Sequence, residues 1–169
     1  MGVAGLAASV VGLGAGPPLA GGIGSGAAPA ADDIPPVMLA LYRQAAASCP
    51  GLSYAVLAAI GTVESSNGTS TAPGVQSGAN GAGAEGPMQF LPATFAEYAM
   101  PVPPGGARPP SPYDPTDAVY AAARLLCAAG AGSADASGLA RAVFAYNHSA
   151  AYVDEVLALA SAYVTALGP

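Results

Sequence analysis

Glu64 is the residue of this sequence whose type and position most suggest chemistry. It ends an apolar run that begins at Tyr54, and the break SSNG at 65–68 follows at once. Only 8% of the residues are charged, so a carboxylate on an otherwise apolar helix is conspicuous. Burial and the negative end of a helix both disfavour the ionised form, so we expect a raised pKa and a general acid near neutral pH. The alternative is a glutamate that turns to solvent at a helix end.

The segments around Glu64 predict a mainly α-helical protein. Prolines, capping residues and apolar residues at helical spacing indicate about six helices, and no segment has the pattern of a convincing strand. The helices are predicted at 35–49, 54–65, 92–98, 115–129, 139–146 and 150–167. Residues 67–86 form a long glycine-rich loop, a feature that is usually functional in a compact domain. We therefore expect one domain over residues 35–169.

The charge of the chain limits its partners. The net charge is −6, there is no lysine, and the four arginines are scattered singly. Such a chain lacks the basic patch of a nucleic-acid-binding protein and the basic face that binds anionic lipid. A neutral or mildly polar substrate suits it better, although an acidic surface is also explained by solubility alone.

The two cysteines, Cys49 and Cys127, both lie in predicted helices. Without CxxC spacing or a neighbouring histidine they make a poor metal site and a reasonable disulfide. A disulfide would stabilise the fold by at most roughly 4 to 5 kcal/mol and would indicate a location outside the reducing cytosol. Two buried free thiols are the alternative. We predict neither a metal nor a cofactor.

Residues 1–34 differ from the rest of the chain. Residues 3–13 have the apolar character of a signal peptide, and residues 28–30 have the small-x-small pattern of a cleavage site, but the basic start is missing. The alternatives are a reading frame that begins further upstream and a flexible Gly/Ala/Pro linker. The segment is too short and too rich in glycine for a transmembrane helix, and we predict no stable membrane span.

Three short motifs occur in order along the chain: ESSNG at 64–68, GPMQF at 86–90 and AYN at 145–147. Together with the flanking words QFLPATF at 89–95 and YNHS at 146–149, they resemble the lysozyme-like lytic transglycosylases of the soluble-lytic (SLT) type. The resemblance extends from about residue 38 to residue 163. It implies a lysozyme-like domain that acts outside the cytoplasm on the glycan strands of peptidoglycan. We expect the protein to be a monomer.

The resemblance also implies a mechanism with one carboxylate. In the family a single glutamate protonates the leaving oxygen of the bond between N-acetylmuramic acid and N-acetylglucosamine, then accepts the proton of the muramoyl 6-hydroxyl, which closes a 1,6-anhydro ring. Glu64 matches that position. An ordinary retaining or inverting glycosidase needs a second carboxylate.

The family motifs assign further roles in this chain. Gln89 matches a glutamine that lines the sugar cleft, and the alternative is a residue at a helix start that faces water. Tyr146 matches a tyrosine whose hydroxyl points at the glutamate or the substrate, and the alternative is a core aromatic residue whose hydroxyl has a protein partner. Met88 is expected as an apolar wall or as plain core, Gly86 as a point of close backbone approach, and Asn80 as a polar loop residue on the substrate. Asn147 is expected to be structural, ending one helix or capping the next.

The other acids have simpler explanations. Asp114 and Asp117 suit the start of a helix, Glu97 lies on a short exposed helix, and Asp154 and Glu155 form a solvated helix face.

Two residues are weaker candidates for a catalytic role. Glu85 borders the second motif and is the one rival carboxylate, but an acid in a loop is more often solvated. His148 is the only histidine, and without a nucleophile placed beside it we expect a surface or capping residue.

The competing functions are a muramidase of the same fold that uses water, a noncatalytic secreted glycan-binding module, and a purely structural secreted helical domain. The absence of a second credible carboxylate disfavours the muramidase, and the presence of Glu64 disfavours the binding module.

Overall fold

The helix that carries Glu64 lies at the centre of the protein. A computed structural model describes residues 30–133 and 135–169, so most of the predicted signal-like segment falls outside the described residues. In the helix Tyr54–Ser65, every residue from 54 to 61 is buried. The Ser53 hydroxyl caps its start by accepting from the Ala55 N–H at 3.2 Å. A helix that is covered on all sides needs no amphipathic pattern, which explains its continuous apolar run.

The predicted mainly helical architecture is confirmed, with no strand among the described residues. An isolated antiparallel bridge joins Glu85 to Phe90. Two short 3-10 turns cover Ala31–Asp33 and Ala131–Ser133. The helices are α1 (Pro36–Ala46), α2 (Tyr54–Ser65), α3 (Pro92–Tyr98), α4 (Pro115–Ala128), α5 (Ala136–Tyr146) and α6 (Ala150–Leu167).

Two helix boundaries differ from the prediction by three residues, and two others differ by one residue. Helix α5 begins at Ala136 rather than at residue 139, because Asp135 caps it by accepting from the Gly138 N–H at 2.7 Å. Helix α1 ends at Ala46, and a turn carries the chain on to Cys49. At the start of α5 and at the end of α1, the apolar spacing predicted the helix but not the residue at its boundary.

The core is built mainly from small residues and large aromatic residues. Helix α2 packs against both α1 and α6, and its alanines are completely buried. The largest fully buried side chains are Tyr42, Tyr152 and Tyr163, from α1 and α6. A buried tyrosine hydroxyl requires a hydrogen-bond partner. The core must therefore contain a polar group beside each of these three hydroxyls.

The predicted disulfide is confirmed. Cys49 and Cys127 form it with their Cα atoms 5.8 Å apart, and it links the turn after α1 to the last residues of α4. The two residues are 78 positions apart, which is a long loop for a cross-link to close.

Helix α6 is the one helix among the described residues that is long and apolar enough to cross a membrane by length and composition. Its buried residues, which include Tyr152, Val156 and Tyr163, face the other helices of the domain. A core helix of a globular domain has the same composition, so this finding is weak support for a membrane span.

Candidate active site

Glu64 and Tyr152 form the centre of the candidate site. Glu64 is the last residue but one of α2 and keeps part of its side chain accessible to solvent. Tyr152 lies in the first turn of α6, which the Ser149 hydroxyl caps by accepting from the Tyr152 N–H at 3.3 Å. The Tyr152 hydroxyl donates to Oε1 of Glu64 at 2.6 Å. No hydrogen bond from residues 30–133 or 135–169 reaches Oε2, so that oxygen is free for a ligand.

Burial raises the pKa of Glu64 from 4.5 to about 7. Desolvation is the largest cause, the hydrogen bond from Tyr152 lowers this pKa in part, and the charge of Glu155 raises it. Burial also raises the pKa of Tyr152 well above its ordinary value, so its hydroxyl remains a donor while Glu64 titrates. The carboxyl group of Glu64 can therefore both release and accept a proton near neutral pH.

The three sequence motifs meet at two adjacent carbonyl groups. The Ser65 hydroxyl donates to the Pro87 carbonyl at 2.5 Å, which ties the first motif to the second. The Tyr146 hydroxyl donates to the Met88 carbonyl at 2.7 Å, which ties the third motif to the second. Ser65 also accepts from the Gly68 N–H at 2.8 Å. The motifs are therefore one connected structure beside Glu64.

The tyrosine bonded to Glu64 is not the expected one. The Tyr146 hydroxyl, expected to point at Glu64 or the substrate, is buried against the Met88 carbonyl. Tyr152, which has no role in the sequence motifs, makes the bond to Glu64 instead. The available signal was its hydroxyl, because a tyrosine on the buried face of a helix must find a polar partner.

Gln89 and Asn80 are brought together in the loop beside the second motif. The Asn80 side-chain amide donates to Oε1 of Gln89 at 2.9 Å, and the Gln89 amide donates to the Gly86 carbonyl at 2.8 Å. Asn80 Oδ1 accepts from the Ala82 and Ala84 N–H groups at 2.8 and 2.9 Å. Gln89 is buried with a positive φ of 49°, so these bonds stabilise a tight turn.

Gly86 allows a close approach, but the approach is to another loop. Its φ is 77°, and a Cβ atom on it would overlap the Pro112 carbonyl group. The proline-rich segment 100–113 therefore packs directly on the second motif. Met88 is completely buried, which favours the plain core alternative for its side chain.

Helix α4 fixes this proline-rich segment with two charged side chains. Asp117 is completely buried, and its Oδ2 accepts from the Ala107 and Ser111 N–H groups at 3.1 and 2.9 Å. Arg124 donates to the Pro101 carbonyl at 2.5 Å and to the Tyr98 carbonyl, at the end of α3, at 2.7 Å. Attributing Asp117 to the helix start alone was incomplete, because its carboxylate also holds the loop that covers Gly86.

Asn147 and His148 lie at the junction between α5 and α6. Asn147 is the first residue after α5, and its N–H donates to the Val143 carbonyl at 3.1 Å, while Ser149 caps α6. His148 is exposed and packs edge-to-face on Phe144, with ring centroids 5.5 Å apart.

The remaining acids lie in different surroundings. Glu97, Asp154 and Glu155 are exposed, and Glu85 pairs through its backbone with Phe90. In the part of the chain that the structure describes, no group of three or more His, Cys, Asp or Glu side chains could hold a metal ion.

The sequence model of the transglycosylase SLT domain matches residues 42–165, which contain Glu64, Tyr152 and all three motifs. Comparisons with the curated proteins and with the solved structures give no match. The matched range includes the C-terminal part of α1 and all of α2 to α5, and it ends close to the end of α6. The chain therefore belongs to the transglycosylase SLT domain family of lytic transglycosylases, which have a lysozyme-like helical fold and act on peptidoglycan.

Proposed function

We propose that this protein cleaves the β-1,4 bond between N-acetylmuramic acid and N-acetylglucosamine and forms 1,6-anhydro-muramoyl products, with Glu64 as acid and then base. The observation that carries the proposal is the state of Glu64. Its carboxyl group is largely buried, its pKa is raised to about 7, and one of its oxygens has no partner among the described residues.

In the first step Glu64 acts as the acid. Because Tyr152 donates to Oε1, the proton of the neutral carboxyl group belongs on Oε2, the oxygen that is free for a ligand. Transfer of this proton to the glycosidic oxygen releases the N-acetylglucosamine side, and the electron pair of the broken bond stays on that oxygen. The muramoyl ring is left with positive charge at C1 and its ring oxygen.

In the second step the same carboxylate acts as the base. Glu64 takes the proton of the muramoyl 6-hydroxyl while that oxygen forms a bond to C1 and closes the anhydro ring. Glu64 is then protonated again, and no water is consumed. A pKa near 7 suits both transfers, because neither protonation state is strongly favoured at neutral pH.

The surroundings of Glu64 favour this reaction over hydrolysis by two carboxylates. Asp117 is held by the loop that it anchors, and Glu155, which raises the pKa of Glu64, is exposed on α6. Glu85 lies in the bridge with Phe90 and close to Tyr113. Glu64 differs from them in the hydrogen bond that it accepts from the buried Tyr152 hydroxyl.

We further propose that the second motif and its supports form a wall of the glycan cleft. Gln89, Asn80 and Gly86 would shape this wall through the turn at 86–90. Tyr146 and Met88 would hold that turn against α5. In this proposal substrate groups meet the surface that these residues hold in place, because the polar atoms of Gln89 and the Tyr146 hydroxyl already have protein partners.

Mass analysis of digests of purified sacculi tests the proposal. Wild-type protein should release anhydro-muropeptides, each lighter by one water than the hydrolytic product, and Glu64→Gln should release none while keeping its fold. Products that carry the extra water would identify a muramidase. A folded Glu64→Gln variant that still releases anhydro products would contradict the role of Glu64. Binding of soluble chitooligosaccharide without any product would indicate a glycan-binding module.

A glutamate that acts on peptidoglycan must lie outside the cytoplasm, where the disulfide is also stable. We propose secretion or cell-wall association on this ground.

A further inference from the structure

A buried hydrogen-bond network surrounds the end of α2 that carries Glu64. The Tyr42 hydroxyl donates to Oδ1 of Asn67 at 3.0 Å, and the Asn67 side-chain amide donates to Oγ1 of Thr62 at 3.0 Å. Thr62 Oγ1 lies 2.9 Å from the Tyr163 hydroxyl and donates to the Ala58 carbonyl at 2.8 Å. The network joins α1, α2, the chain after α2, and α6.

A donor can be assigned to each bond of this network from the bond that Thr62 makes to Ala58. The single hydroxyl hydrogen of Thr62 goes to the Ala58 carbonyl, so both Asn67 and Tyr163 must donate to Thr62. The Asn67 oxygen then faces Tyr42, which must donate to it. Removal of the Thr62 hydroxyl therefore leaves two buried donors, the Asn67 amide and the Tyr163 hydroxyl, without an acceptor.

The local backbone is shaped for this network. Ser66 and Asn67 both have positive φ, at 51° and 58°, so the chain folds back over the last turn of α2. The Asn67 N–H donates to the Gly61 carbonyl at 2.8 Å. A Cβ atom on Gly61 would overlap the Tyr42 hydroxyl. The one glycine of α2 therefore lies where the Tyr42 hydroxyl contacts this helix.

Helix α6 holds the end of α2 at two points. Tyr152 and Tyr163 are 11 positions apart, about three helical turns, and therefore share one face of α6. Tyr152 bonds Glu64, and Tyr163 bonds Thr62 two residues earlier. A single attachment would let the end of α2 shift along α6, whereas two attachments fix its position.

We propose that Thr62, held by Asn67, Tyr42 and Tyr163, is a positioning residue that keeps the Glu64 carboxyl group against Tyr152 for both proton transfers. The proposal rests on the proposed catalytic role of Glu64. Thr62 itself does not touch the substrate in this proposal, and it acts by fixing the end of α2.

Thr62→Val and Thr62→Ser form a matched pair that tests this role. Valine keeps the shape and removes the hydroxyl, whereas serine keeps the hydroxyl. In Thr62→Val we expect the Glu64 carboxyl group to move away from Tyr152 and toward water. Loss of the bond alone would raise its pKa, but desolvation is the larger effect, so its relief should lower the pKa by about one unit. We expect kcat to fall about tenfold with KM changed less than about twofold. Thr62→Ser should restore the pKa and kcat.

The pKa of Glu64 is read from the carboxyl carbon shift in an NMR titration of the folded protein, and kcat and KM from digestion of purified glycan strands. The titratable groups that face Glu64 are Tyr152 and Glu155 from α6 and Tyr146 from α5, and none of them changes in these variants. Val119→Ala, in the buried face of α4, controls for general loss of stability and should leave the pKa unchanged.

If Thr62→Val does not fold, Asn67→Gly replaces it, because glycine accepts the positive φ of residue 67 and removes only the side chain. A folded variant with the wild-type pKa of Glu64 and wild-type kcat would overturn the proposal. The NMR readout does not depend on catalysis. An active Glu64→Gln variant would therefore refute the proposed function, while the titration would still decide whether the network positions this side chain.

Discussion

The Tyr152 hydroxyl donates to Oε1 of Glu64 across a sequence separation of 88 residues. This bond opposes the effect of burial, because it stabilises the ionised carboxylate while desolvation destabilises it. The raised pKa of Glu64, about 7, is the result of both effects. Substitution of either residue should therefore move the pH dependence in a direction that can be stated beforehand.

Tyr152→Phe should raise the pKa of Glu64 above its present value of about 7, because the hydrogen bond that lowers it is lost. We expect the alkaline limb of the pH–kcat profile to move to higher pH and kcat at its plateau to fall about tenfold, as the carboxyl group is held less firmly. Tyr54→Phe is the matched control, since its hydroxyl bonds the Gly168 carbonyl at 2.6 Å instead. An unchanged profile in Tyr152→Phe would contradict this account.

Glu64→Gln should stabilise the fold at alkaline pH. The pKa of Glu64 rises from 4.5 in the unfolded chain to about 7 in the fold. Below pH 4.5 the carboxyl group is neutral in both states, so it does not lower the free energy of unfolding. Stability is lost as the pH rises from about 4.5 to about 7, and above that range the ionised carboxylate costs about 2 kcal/mol after allowance for its partial exposure.

Urea unfolding at pH 4 and pH 8 measures this difference. The variant should match the wild type at pH 4 and exceed it at pH 8. Glu97→Gln, on an exposed carboxylate, should show no such change between the two pH values. Equal stability of Glu64→Gln and wild type at both pH values would mean that burial does not raise the pKa of Glu64.

Gly86→Ala should be more damaging than Gly78→Ala. Both glycines have positive φ, at 77° and 61°, so both substitutions strain the backbone by about 1 kcal/mol. Only at Gly86 would the added Cβ atom meet another group, the Pro112 carbonyl. We expect Gly86→Ala to lower the free energy of unfolding by at least about 3 kcal/mol, the sum of strain and overpacking. Similar losses for both variants, measured by urea unfolding, would exclude the close approach of the two loops.

Removal of the disulfide in a Cys49→Ala, Cys127→Ala double variant should lower the free energy of unfolding by about 2 to 4 kcal/mol. The loss arises because the unfolded chain gains the freedom that the cross-link removes. Thermal unfolding of wild type under reducing conditions should approach that of the double variant. The reductant should have no effect on the double variant itself.

Much of the fold could be predicted from local sequence. The bounds of α2, α3 and α6 agree with the prediction, because Ser53, Pro92 and Ser149 mark their starts and the apolar spacing gives their lengths. The start of α5 was placed three residues late, because the cap at Asp135 stands in a stretch of small residues that looks like a connector.

The sequence by itself determined the helices, the candidate disulfide and the isolated carboxylate Glu64, because each depends on residue type and short spacing. Only the tertiary structure decided that Tyr152 rather than Tyr146 bonds Glu64, and that Gln89 pairs with Asn80. It also decided that Asp117 anchors a loop as well as beginning a helix. The physical reason is that helix spacing fixes which side chains are buried, whereas their polar partners depend on how distant helices and loops pack together.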